Sequence, residues 1–190
     1  MDDENIVWDD SIEMLLQKYA DESIVRENMH RQSYYKFKSL TTAFQLPVII
    51  LSALSGSVTF LSKGYKSVEE ILMNITGSVS ILVSIISAVA SYLKLGEQQT
   101  KHQVSEIAWQ DFFNSVKHEL SLRRDLRVPA HEFLRKVKTD YARLFEISPI
   151  VSQKIINRVR SKLKSVDHDT FNVPNYLNGF SHTPVYQIGD

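Results

Sequence analysis

The chain has 190 residues and sets 22 Lys and Arg against 22 Asp and Glu, so its formal net charge is zero. It contains no cysteine, which excludes disulfides and cysteine-ligated metals. The charge is nevertheless uneven: residues 1–38 hold nine acidic and five basic side chains, and residues 96–165 hold eight acidic and fourteen basic ones. An acidic and a basic arm can attract each other, the basic arm can face anionic headgroups, or both can be solvated helix faces.

The first eight residues read as a loose leader. The start, MDDENIVWDD, lacks the basic and apolar regions of a signal peptide, so no cleavable leader is expected. Asp9 or Asp10 is placed to cap a helix carrying Ile12, Leu15, Leu16 and Tyr19 on one face. Asp21-Glu22-Ser23 offers a break, after which helix resumes through Tyr34, Tyr35 and Phe37.

Two runs follow with no charged residue and no histidine: Ser39–Ser62 and Ile71–Leu93, each more than 20 residues long. At about 1.5 Å of rise per residue, a helix of that length crosses a hydrocarbon core of about 30 Å. The spacing predicts two membrane spans joined by the short turn KGYKSVEE (63–70), and so an antiparallel hairpin. Tyr34 and Tyr35 stand where one interfacial aromatic belt would lie, and Tyr65 marks the other. Pro47 falls inside the first run and is expected to kink it, which a membrane helix tolerates.

The second span is expected to continue as helix from Lys94 to about Arg124, with Gly96 its weak point. Val104, Ala108, Phe112, Val116 and Leu120 recur every four residues, widened by Ile107 and Phe113 into a stripe that needs a partner. Val128-Pro129 ends the pattern. A further helix carries Phe133, Leu134, Val137, Tyr141, Leu144 and Phe145. Ser148-Pro149 reads as the start of a last helix with Ile155, Ile156, Val159 and Leu163. Beyond Ser165, Asn, Pro, Gly and His dominate and a flexible tail is expected.

Basic residues favour the cytoplasmic side. Arg26, Arg31, Lys36 and Lys38 precede the first span and Lys94 and Lys101 follow the second, whereas the turn has Lys63 and Lys66. The expected orientation is an integral, multi-pass protein with both termini cytoplasmic.

The spans are rich in small and hydroxyl residues set on strips. Gly77, Ser80, Ser84, Ser87 and Ser91 follow steps of three and four, with Asn74 one step before. Thr41, Gln45, Ser52, Ser55, Gly56 and Thr59 gather on the first span. One reading is close helix packing with hydroxyls bonding across the contact. The other is the lining of a water-filled path, which two helices cannot enclose and which demands an oligomer. With no ionisable group at depth, a proton relay, voltage sensor or ion-coupled carrier is disfavoured.

Catalytic constellations are poor. Asp167-His168-Asp169 has no companion His or Cys and reads as a solvated turn. His118-Glu119 and His131-Glu132 lack the second histidine of a zinc helix, and neither a phosphate-binding glycine loop nor a serine nucleophile elbow is present. Arg123-Arg124-Asp125-Leu126-Arg127 reads as a positively charged helix end, or as a contact for phosphates or headgroups. Trp8 and Trp109 stand too far apart to suggest nucleic-acid stacking. No enzyme activity, cofactor, metal or nucleic-acid partner is expected.

An amphipathic arm, the aromatic and basic entry YYKFKSL, the hairpin LPVIILSALSGSVTFLS with GSVSILVSIISAVASYL, and a long helix leaving the second span occur in that order. This layout, from about Ile12 to Leu163, resembles the SLATT family of two-transmembrane effector domains associated with nucleotide-signalling conflict systems. The resemblance implies oligomerisation into membrane pores that trigger cell death or dormancy. No nucleotide-sensing or cyclase domain is fused here, so a trigger would come from another protein or from a ligand at the helical arms.

The expected fold is all-α: an acidic helical arm (1–38), a two-helix transmembrane hairpin (39–93), a basic helical arm (94–165) that forms a cytosolic bundle with the first, and a tail (166–190). The expected function is an oligomeric pore-forming or channel-like effector in a lipid bilayer. The alternative is a structural membrane or virion-membrane scaffold without conductance.

Overall fold

A computed structural model describes residues 7–62 and 69–163. The turn from Lys63 to Val68, the first six residues, the Asp167-His168-Asp169 group and the tail lie outside the described residues. The fold is all-α: α1 is Asp10–Ser62, α2 Glu69–Tyr92, α3 Leu95–Ser121, α4 Ala130–Ile147 and α5 Gln153–Leu163, with a 3-10 turn at Arg124–Leu126. The chain divides into two compact units. One joins the segment up to Ser33 with that from Lys101 onward; the other is Tyr34–Thr100.

Helix α1 begins where the Asp9 carboxylate accepts the Ile12 N–H at 2.8 Å, an N-cap that satisfies one of the free amides of the first turn. It then runs 53 residues without a break. The expected interruption at Asp21-Glu22-Ser23 is absent. Ser23 is buried and its hydroxyl bonds the Ala20 carbonyl at 2.7 Å, while Glu22 pairs with Arg26 one turn on. Local hydrogen bonding thus keeps helix-neutral residues inside the helix.

In the first unit, Leu16 and Ala20 of α1, Trp109, Phe112 and Val116 of α3, and Phe133, Val137 and Leu144 of α4 form one core. A second, smaller core sets Ile155 and Val159 of α5 against Val25 and Met29 on another side of α1. Trp8 is no loose leader residue. Its indole N–H donates to the Val128 carbonyl at 2.8 Å and its ring lies against Phe133. The arginine cluster at 123–127 clasps the start of α1: Arg124 pairs with Asp10 and Glu13, and Arg127 with Glu13 at 2.6 Å. These guanidiniums hold the Glu13 carboxyl down at about 2. The acidic and basic arms therefore do attract each other, and these two arginines spend their charge on protein.

Two helix boundaries differ from expectation. The second span does not run straight into α3. Lys94 takes φ 48°, and its N–H turns back to the Ser91 carbonyl at 3.0 Å. A left-handed residue ends α2 there, and Gly96 sits inside α3 instead. Ser148 does not start α5 either. It closes α4, with its N–H on the Leu144 carbonyl at 3.1 Å, and its hydroxyl accepts the Trp109 indole N–H at 2.9 Å. The Ser152 carbonyl begins α5 by accepting the Ile155 and Ile156 amides.

Trp109 is 0% exposed and stacks edge-on with Phe112 and Tyr141. Replacing so large a buried ring costs transfer energy and leaves a cavity. Trp109→Ala is expected to destabilise the first unit by roughly 3–5 kcal/mol, measured by chemical unfolding of the detergent-solubilised chain followed by near-ultraviolet circular dichroism.

Candidate functional site

In the second unit, the most apolar stretches of both long helices have none of their residues buried. The half-buried positions show where α1 and α2 meet. Within the bare runs they are Thr41, Phe44, Val48, Leu51, Ser55 and Val58 on α1, and Leu72, Thr76, Val79, Val83, Ile86, Ser87 and Ala90 on α2. Apart from Ser87, both sets step by three and four, the spacing of a helix–helix seam. Thr41, Gln45, Ala90 and Ser91 line one cleft of about 380 Å³, so the start of the α1 run lies beside the end of α2. The pair is antiparallel, and its seam is largely aliphatic.

The small-residue strips lie mostly outside that seam. Gly77, Ser80, Ser84 and Ser91 are exposed and Ser87 is half-buried; Ser52, Gly56 and Thr59 are exposed, while Ser55 belongs to the seam. At about 100° per residue, each strip sits roughly a quarter turn ahead of its own seam, counted along the chain. Because the helices run in opposite directions, equal rotations bring both strips to the same side of the hairpin. Gln45 and Ser91, one from each strip, accordingly share the cleft. The opposite side is mainly apolar: Ile50, Leu54, Ile75, Leu82 and Ile85 are each more than half exposed, with Ser57 and Ser78 set among them. Pro47 is exposed too, and α1 passes through it as helix.

The hydroxyls are not idle donors. Ser57, Thr59, Ser78, Ser80 and Ser84 each bond the carbonyl four residues back, at 2.9 Å. A hydroxyl satisfied in this way tolerates lipid or a dry contact and still has lone pairs for water. Arg31, Lys36, Lys38, Lys94 and Lys101, the residues expected to set orientation, are all exposed.

The first unit holds a buried polar layer that periodicity reasoning passes over. The face of α3 that turns inward is His102, Ser105, Trp109, Phe112, Val116 and Glu119, stepping by three and four. Val104 and Ile107, expected on that face, are 55% and 52% exposed, because a strict step of four drifts around a helix of 3.6 residues per turn. His30 and His102 meet across α1 and α3 with their Nδ1 atoms 3.0 Å apart, so one ring donates and the other accepts. Glu27, 1% exposed, takes both Arg31 donors on one oxygen, and its Oε2 has no hydrogen-bond partner. Arg31 also reaches Glu106 at 3.4 Å. Burial, then the Glu27 charge, raises the Glu106 carboxyl above its usual range, against the pull of Arg31. Beside this layer the Arg26 guanidinium lies over the rings of Trp109, Tyr141 and Phe145, at 5.3, 5.9 and 4.7 Å from their centres. The available signal is polar residues in phase with the buried positions: Glu27 and His30 continue the series Leu16, Ala20, Ser23.

Among the described residues, no three His, Cys, Asp or Glu side chains are placed to hold a metal ion. Glu119 accepts the Val128 N–H at 2.6 Å, an architectural bond, and His118 is exposed. No family model, curated protein or solved structure matches the chain.

Burial lowers the His30 pKa from 6.5 to about 3, aided by His102 and then Arg26. In the unfolded chain that histidine takes its proton at the ordinary value, so the unfolded state binds more protons between the two values. Stability is therefore full above pH 6.5 and falls as pH drops toward 3. The melting temperature of the solubilised chain is expected to fall across that window, and His30→Gln is expected to flatten the dependence.

Proposed function

We propose that this chain is an integral membrane protein with two transmembrane helices, whose hairpins assemble into an oligomeric, pore-forming or channel-like effector. The observation that carries this reading is the two-sidedness of the hairpin. Small and hydroxyl residues from both helices gather on one side, and the other is mainly aliphatic, with Ser57 and Ser78 its polar members. A hairpin of that kind offers its apolar side to lipid and its polar side to other copies around an axis. The basic flanks support an orientation with both termini in the cytoplasm, and the resemblance to SLATT effectors supports the pore reading. A signal from another protein or a ligand would then act on the helical arms, and the chain would need no catalytic group of its own.

The bonding of the strip hydroxyls to their own helix supports a second reading, a structural membrane scaffold. Groups already satisfied can pack dry between copies without admitting water.

The test is flux of a trapped dye or ions from liposomes holding the purified full chain. A pore reading expects leakage that grows with protein density. Ser84→Leu adds bulk to the polar side and is expected to cut the conductance per oligomer severalfold while insertion is unchanged. Intact oligomers that leak nothing, with a bound partner recovered in fixed ratio, would favour the scaffold.

A further inference from the structure

We propose that the exposed face of α5 docks on anionic lipid headgroups; this inference rests on the membrane reading above. α5 carries Lys154, Arg158, Arg160 and Lys162 and no acidic residue in 11 positions. By contrast α4 mixes Arg135, Lys136, Lys138 and Arg143 with Glu132, Asp140 and Glu146. The apolar side of α5 is already used, since Ile155 and Val159 are each 4% exposed against Val25 and Met29. What faces outward is Lys154, Arg158 and Lys162, all exposed and spaced by four, so they form one line along the helix. A line of cations has no apolar surface with which to bind another helix. Its complement is a hydrated, negatively charged surface.

Arg158 Nη1 lies 3.5 Å from Gln32 Oε1, a neutral partner. Each cation at an anionic leaflet contributes on the order of fivefold in binding, so three together contribute on the order of a hundredfold.

The chain lacks cysteine, so Ser161→Cys creates a single labelling position on the exposed side of α5. A fluorophore there, in the full chain reconstituted into nanodiscs, reports contact through quenching by a headgroup-labelled lipid. Quenching is expected to be stronger in phosphatidylcholine with phosphatidylserine than in phosphatidylcholine alone. The difference should vanish at high salt, and in the triple variant Lys154→Gln, Arg158→Gln, Lys162→Gln. Equal quenching in the two lipids would overturn the headgroup contact and leave the membrane reading standing. A chain that never enters nanodiscs and stays soluble without detergent would overturn both. If the triple variant loses helix by circular dichroism, the lipid and salt comparisons on the unsubstituted face still decide.

Discussion

Apolar side chains that no protein covers constrain everything else in this chain. Ile50, Leu54, Phe60, Ile75, Leu82 and Ile85 are each more than half exposed, on helices with no ionisable group for more than 20 residues. Leaving one large aliphatic side chain in water forfeits roughly 1.5–3 kcal/mol relative to burial, and the hairpin leaves many. A soluble domain of marginal stability does not sustain that loss. Under the proposed reading, lipid covers one side of the hairpin and further copies of the chain cover the other.

The first unit follows the opposite rule. It buries polar groups and satisfies most of them locally, through the His30–His102 contact, the Glu27–Arg31 pair and the Arg26 guanidinium held against three rings. Such a layer fixes the register of α1 against α3, since sliding either helix separates the two imidazoles and draws Glu106 away from Arg31. It also carries a liability. A protonated His30 beside His102 and Arg26 concentrates positive charge in a buried place, so acid is expected to weaken this unit.

The hairpin is readable from charge alone, because two bare runs of more than 20 residues joined by a short link announce two long apolar helices. Strip positions are readable too, since steps of three and four survive any packing. Which side of the hairpin they occupy is not, because that depends on the seam, and the seam residues are chemically like the outward-facing ones. Lys94 illustrates a different blind spot. Its left-handed backbone ends α2, and no side chain signals it. Ser148 was ambiguous in kind: the same Ser-Pro pair suits a helix start or a helix end, and the Trp109 indole decided for the end. The polar layer escaped because His and Glu at buried positions do not register in an apolar pattern.

Whether the two bare helices lie in a bilayer is decided most directly by extraction of membranes from cells making the full chain. Alkaline carbonate strips peripheral proteins and leaves spanning ones behind. Retention in the pellet, with release by detergent alone, is the expected result. Recovery of the chain in the carbonate supernatant would contradict it.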